Sequence, residues 1–174
     1  MQRLWATIRV FVALWIGAVL LVSNFAYTWH TDSQCVRTQY KAYVYPVHSE
    51  QEIQAEVGLH IGLRGVNITL VERAYAECAG GTQDEIDAYE RDRPFPGETI
   101  NYNEAFRWAD PWFQGRFGFG RFASRLNQEF RAAQFTGDPY PILWIAEYFT
   151  LDGEQIRWFR KYRQAGWYAH IFLW

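Results

Sequence analysis

The sequence predicts an α+β membrane protein, in which a transmembrane helix precedes a domain built from a small antiparallel sheet and helices. Three features predict this class: an uncharged apolar segment near the N-terminus, two runs of alternating apolar residues around a glycine-containing break, and two stretches with apolar residues at helical spacing. The 174 residues suffice for one domain with a core, and a net charge of −2 gives no reason to expect nucleic acid as a partner.

Residues 10–29 form a segment of twenty residues without a charged side chain. As a helix it is about 30 Å long, which matches the hydrocarbon core of a lipid bilayer. Arg3 and Arg9 precede it, so the positive-inside rule places residues 1–9 in the cytosol and residues 30–165 in the lumen or outside the cell. The alternative is a cleaved signal peptide with its apolar region at 10–22, which sends the following residues to the same side.

A β-hairpin is predicted within residues 57–70, because apolar residues alternate with glycine and polar residues on both sides of Arg64-Gly65. The alternating residues are Val57, Leu59, Ile61 and Leu63 before the break, and Val66, Ile68 and Leu70 after it. Residues 39–47 are rich in Tyr and Val and predict an edge strand, and residues 100–108 are predicted to be extended.

Helices are predicted in the second half of the chain. The charged residues 79–96 indicate a solvated excursion with one short helix opened by Thr82. Residues 119–135 predict an amphipathic helix that ends at Thr136-Gly137, and Asp138 is expected to cap the next helix. The apolar positions of that next helix are Ile142, Ile145, Ala146 and Phe149. Residues 166–174 are apolar and predict the start of a truncated second transmembrane helix.

Two features depend on the compartment of the domain. Cys35 and Cys78 are the two cysteines, and in an oxidising compartment we expect a disulfide between them. Pairing of either cysteine with a partner chain is the alternative. Asn67-Ile68-Thr69 is the single N-glycosylation sequon, and it lies in the predicted hairpin on the glycosylating side of the membrane.

Catalytic and metal-binding motifs are not found. None of the four histidines forms an i,i+4 pair, the acidic residues 84–92 lack the spacing of a calcium loop, and the glycines at 115–120 do not match a dinucleotide-binding pattern. The sequence therefore predicts no enzyme, no cofactor and no metal. Two other functions stay open: a signal-anchored lumenal enzyme or carbohydrate-binding module that stacks sugars on Trp108, Trp112 and Trp144, and a tetraspan junction protein that acts through lateral contacts.

Several blocks of the chain resemble one family, the dual oxidase maturation factors. The blocks are VGLHIGLRGVNITL, INYNEAFRW, PYPILWIAEYFT and YRQAGWYAHIFLW, together with IGAVLLVSNFAYTW in the apolar segment. They follow one another in the order in which the family carries them, over nearly the whole chain. The resemblance implies a claudin-like extracellular loop domain and membership of a multi-pass protein with about five transmembrane helices, of which this chain has the length for one complete span and the start of another.

The resemblance also implies a function without catalysis. Members bind a dual oxidase, a membrane NADPH oxidase that produces hydrogen peroxide, assist its exit from the endoplasmic reticulum and accompany it to the plasma membrane. The implied partners are thus a dual oxidase and the lipid bilayer, and Asn67 matches the family's glycosylated block. We expect partner-binding residues in the aromatic-rich residues 106–119, with Trp108, Trp112 and Arg116 as anchors, because Trp and Arg are frequent hot-spot residues.

Overall fold

A sheet of four antiparallel strands, in the order β1-β2-β3-β4, is the centre of the fold. The structure, a computed structural model, describes residues 2–40, 51–93, 100–108, 125–150 and 157–174. Its elements are α1 (Gln2–Phe25), β1 (His30–Tyr40), β2 (Gln51–Ile61), β3 (Gly65–Glu72), α2 (Tyr75–Ala79), α3 (Gln83–Arg91), β4 (Asn101–Arg107), α4 (Arg125–Thr136), α5 (Tyr140–Phe149) and α6 (Arg157–Phe172). The predicted α+β class is confirmed.

Helix α1 is the apolar helix that the sequence places near the N-terminus. Within the described residues it is the helix long and apolar enough to cross a membrane, and its most apolar stretch is not buried inside the protein. It begins earlier than expected and ends at Phe25 rather than at residue 29. Tyr27 and Trp29 therefore lie in the short connection to β1, where the chain turns from the helix into the sheet.

The hairpin of β2 and β3 confirms the prediction for residues 57–70. Leu59 pairs with Ile68 and Ile61 with Val66, and residues 62–64 form the connection. Gly65 is required at the start of β3, because a Cβ atom there would collide with the carbonyl oxygen of Phe106 on β4. The extended residues 100–108 are also confirmed, since β4 pairs with β3 along its length.

One face of the sheet, here called the core face, packs against α4 and α5. The strand residues in this core are Ala55, Val57, Ile61, Val66, Ile68, Leu70 and Phe106, and the helices contribute Leu126, Phe130, Ala133, Ile142, Ala146 and Phe149. These positions repeat every second residue in the strands and every third or fourth in the helices. Each large side chain that leaves water here stabilises the fold by roughly 1.5–3 kcal/mol.

Three expectations are refined by the structure. A strand does form before the hairpin, but it is β1 at His30–Tyr40, whereas residues 41–47 of the expected strand lie outside the described residues. Helix α3 begins after Thr82 as predicted, with the Glu85 carboxylate accepting from the Thr82 N–H at 3.0 Å. The residue that precedes α5 is Pro139 rather than Asp138, because Asp138 instead accepts a hydrogen bond from the Thr136 hydroxyl.

Candidate functional site

The face of the sheet opposite α4 and α5, here called the open face, is polar. Residues that pair across neighbouring strands share a face, so the strand registers identify its members. The central ones are Thr31, Ser33, Gly58, His60, Asn67, Thr69, Asn103 and Ala105. His60 on β2 and Asn67 on β3 are directly paired, and both are half-buried. The glycosylation candidate Asn67 thus lies on the open face of β3 rather than on the core face, although its Oδ1 atom is itself buried.

One end of the open face is covered by α2. Cys78 on α2 is joined to Cys35 on β1 as a disulfide, with Cα atoms 6.1 Å apart, a separation usual for disulfides. Beside it the guanidinium of Arg37 lies over the ring of Tyr75 at 4.6 Å, and Arg73 pairs with Glu56 at 3.2 Å. The two cysteines that the sequence singled out are therefore brought together, and they attach a helix to the sheet.

At the edge of the core face, Glu72 holds a buried polar cluster together. Its carboxylate accepts hydrogen bonds from Nε and Nη2 of Arg93 at 2.9 and 2.7 Å, and from the Ile100 N–H at 3.2 Å. Burial alone would raise the pKa of Glu72, but the hydrogen bonds and the charge of Arg93 outweigh it, so the pKa lies below its usual value. Tyr89 donates to the same carboxylate, and its own pKa is raised, chiefly by burial.

The tryptophan expected to anchor a partner, Trp108, is part of the core. Its side chain is 1% exposed, its indole N–H donates to the carbonyl of Leu63 at 2.9 Å, and its ring stacks on Phe149 with centroids 5.5 Å apart. Trp108 therefore supports the fold and offers no surface to a partner, which corrects the role expected for it. Trp112 and Arg116 lie outside the described residues, so the other two expected anchors stay predictions.

A row of aromatic side chains, here called the aromatic ladder, runs along α5 and is formed by the exposed Tyr140 and Trp144 and the half-buried Tyr148. Tyr140 is 68% and Trp144 52% exposed, and each ring lies 6.1 Å from the next, measured between centroids. Sequence reasoning missed this surface because it followed the apolar stripe of α5. The signal was present as Tyr, Trp and Tyr at i, i+4 and i+8, on the side opposite that stripe.

The domain is connected to α1 through α6. The rings of Trp29 and Tyr162 stack with centroids 4.2 Å apart, and Asn24 at the end of α1 hydrogen-bonds to the buried His170. Gly166 permits this approach, because a Cβ atom there would lie 2.7 Å from the Trp29 ring. The connection between β2 and β3 also contacts α1, because the guanidinium of Arg64 lies 4.7 Å from the ring centre of Phe25.

None of these surfaces has the arrangement of a catalytic centre. Within the described residues no group of three or more His, Cys, Asp or Glu side chains could hold a metal ion. Of the three tryptophans expected in a sugar-stacking platform, Trp108 is buried and cannot stack on a sugar, and Trp112 lies outside the described residues. The described residues instead combine one helix that is long and apolar enough to cross a membrane with a four-stranded sheet and further helices.

Comparison with known proteins identifies the family. The family model described as Dual oxidase maturation factor matches residues 1–174. Dual oxidase maturation factor 1 of Homo sapiens is 34% identical over 172 residues, which are 99% of this chain and 40% of the relative. The same protein of Mus musculus is 35% identical over 172 residues, with the same two shares. Dual oxidase maturation factor 2 of Mus musculus is 32% identical over 173 residues, 99% of this chain and 43% of the relative.

The chain belongs to the dual oxidase maturation factor family. The resemblance drawn from its sequence blocks is confirmed. The chain spans about 40% of the length of the curated relatives it matches. The family is named for the maturation of another protein, a dual oxidase, rather than for a reaction of its own.

Proposed function

We propose that this chain forms one span and the large loop domain of a maturation factor that binds a dual oxidase and catalyses no reaction itself. The observation that carries the proposal is the family match over residues 1–174. The exposed aromatic ladder supports it, because a row of Tyr and Trp side chains is typical of protein contact surfaces. The whole protein then assists the folding and transport of a peroxide-producing membrane oxidase and remains bound to it.

The compartment follows from the same proposal. Helix α1 crosses the membrane of the endoplasmic reticulum with its N-terminus in the cytosol, and the sheet domain lies in the lumen and, after transport, outside the cell. In the full-length protein further spans complete a multi-pass membrane protein. Four antiparallel strands beside membrane-proximal helices support a claudin-like description of the loop.

Asn67 carries an N-linked glycan in this proposal. The sequon lies on the open face, so a glycan there points away from α4, α5 and the aromatic ladder. The test is expression in cells with a glycosylating secretory pathway, followed by endoglycosidase digestion and gel electrophoresis. We expect a mobility shift for the wild type and none for Asn67→Gln. Equal mobility of both proteins before and after digestion would contradict the site or the topology.

The partner surface in this proposal is the aromatic ladder, with Trp112 and Arg116 as further anchors. Co-expression of the full-length protein with a dual oxidase tests it through co-precipitation, surface delivery of the oxidase and peroxide output. Trp144→Ala should weaken co-precipitation by roughly 30-fold, the effect of losing about 2 kcal/mol at a hot spot. Phe135→Ala is the matched control, because Phe135 on α4 is 97% exposed but lies off the ladder.

Two outcomes distinguish the role of the aromatic ladder from the role of the whole loop domain. If Trp144→Ala and Phe135→Ala both bind like wild type, the ladder is not the contact surface, although the maturation role stands. If a protein lacking residues 30–165 supports the oxidase as well as wild type, the loop domain is not the recognition element at all.

A further inference from the structure

A polar groove with a volume of about 510 Å³ lies on the open face beside Asn67. Residues of β1, β2 and β3 line this groove. The side chains that matter for its chemistry are Thr31 and Ser33 on β1, Glu56 and His60 on β2, and Thr69 on β3, with Gly58 at the centre. Hydroxyl, imidazole and carboxylate groups therefore surround a depression that has no large apolar side chain at its middle.

Gly58 creates the floor of this groove. It pairs with Ser33 on one side and with Thr69 on the other, so a side chain there would project into the middle of the open face. A Cβ atom at this position would collide with the Thr69 hydroxyl oxygen. The hydroxyl of Thr69 instead donates to the carbonyl of Gly58 at 3.4 Å. Glycine in a strand interior costs stability unless close approach is needed, and here it makes room for the Thr69 side chain at the floor of the groove.

Asn67 stands at one corner of the groove. Its cross-strand neighbour on the same face is His60, and Thr69 is the next residue of β3 on that face; both line the groove. At the opposite end, the groove is closed by Glu56, whose carboxylate pairs with Arg73. A chain of sugars attached at Asn67 can thus enter the depression without crossing a barrier from α2.

We propose that the first sugars of the N-linked glycan on Asn67 lie in the polar groove, where they hydrogen-bond to His60 and to the hydroxyls of Thr31 and Ser33. This rests on the glycosylation of Asn67 proposed above. The sugars of a glycan stem carry hydroxyl and acetamido groups, which match donors and acceptors of this kind. The glycan then covers the β1–β2 part of the open face rather than projecting freely into solvent.

The attached glycan is a better occupant than a separate molecule because it is tethered. A covalent link beside the groove gives the first sugars an effective concentration in the millimolar range, so weak hydrogen bonds suffice to hold them. On the other side of Asn67 its cross-strand neighbour is Ala105, which offers no side-chain hydrogen bond. Of the two residues directly paired with Asn67, His60 on the groove side is therefore the one with a polar side chain.

The test measures how fast peptide N-glycosidase releases the glycan from the native, detergent-solubilised full chain, compared with the denatured chain. We expect slow release from the native wild type and release from His60→Ala that is roughly threefold to tenfold faster, the effect of losing one hydrogen bond. Ser33→Ala removes a hydroxyl group of the groove at an exposed position, and it should also speed up release of the glycan. Asn103→Ala is the control, since Asn103 lies on the open face beyond β3 and does not line the groove.

The outcomes keep this inference apart from the proposed glycosylation. A glycan on Asn67 that is released from native wild type as fast as from denatured chain, with no change in His60→Ala or Ser33→Ala, overturns the groove site and leaves glycosylation intact. Equal acceleration by Asn103→Ala would show a general loosening of the sheet and would also overturn it. If no glycan is attached to Asn67, both statements fail.

Discussion

The two faces of the sheet use the same strands for different purposes. The core face carries Val66, Ile68 and Leu70 of β3, each at most 2% exposed, and is covered by α4 and α5. The open face carries Asn67 and Thr69 of the same strand, both half-buried and polar. Because side chains alternate along a strand, stability and surface chemistry are encoded in alternate residues. Substitutions on the core face should therefore cost folding free energy, and those on the open face should alter attachments and contacts.

The largest expected effect is on the core face. Trp108→Ala should lower the free energy of unfolding by about 3–5 kcal/mol, since it removes a fully buried ring and its contact with Phe149. Thermal unfolding of the purified protein measures this. Trp108→Phe keeps most of the apolar surface and loses the hydrogen bond to Leu63, so about 1 kcal/mol is expected. An alanine variant as stable as wild type would show that the ring is not in the core.

The second largest effect on stability is expected from loss of the disulfide, which lies at the end of the open face that α2 covers. Loss of the Cys35–Cys78 bond, which closes a separation of 43 residues, should destabilise the domain by up to about 4 kcal/mol in the chain-entropy model. Cys35→Ser, Cys78→Ser and the double variant should unfold alike, because each lacks the same bond. Mass spectrometry of unreduced peptides gives the independent check. Two free thiols in material from the secretory pathway would rule the bond out.

The edge of the core face should be sensitive to acid. Because the pKa of Glu72 is lowered in the fold from its ordinary value of 4.5, its ionised form stabilises the protein above that pH, and this contribution is lost as the pH falls below it. Glu72→Gln should cost about 1.5–3 kcal/mol at neutral pH, the range for losing hydrogen bonds to a charged group, and should flatten the stability profile below pH 4.5. Unfolding measured from pH 3 to pH 7 tests the sign.

The smallest effect should come from the uncovered part of the open face. Asn103→Ala changes an exposed residue of the edge strand whose cross-strand neighbour, Thr69, is polar, so the free energy of unfolding should change by at most about 0.5 kcal/mol. Denaturant unfolding beside wild type measures it. A loss comparable with that of Trp108→Ala would mean that the open face is covered by another part of the protein, and the contrast between the faces would fail.

Much of the fold is determined by local patterns in the sequence. The alternation of residues 57–70 predicts the hairpin, and the spacing of Leu126 and Phe130 predicts α4, because period two and period 3.6 each place apolar side chains on one side. The uncharged segment predicts α1, and Thr82 predicts the start of α3 through its side chain. The sequence blocks also identify the family without any coordinates.

Tertiary structure alone decides what each side chain faces. Trp108 and Trp144 are the same residue type in aromatic-rich surroundings, yet Trp108 is 1% and Trp144 52% exposed. Trp108, at the end of β4, packs against Phe149 of α5, whereas Trp144 lies on the outer side of α5. The groove beside Asn67 likewise requires β1 to pair with β2 in the register that sets Ser33 opposite Gly58. Local periodicity defines the two sides of an element, but only the packing of distant elements determines which side is covered.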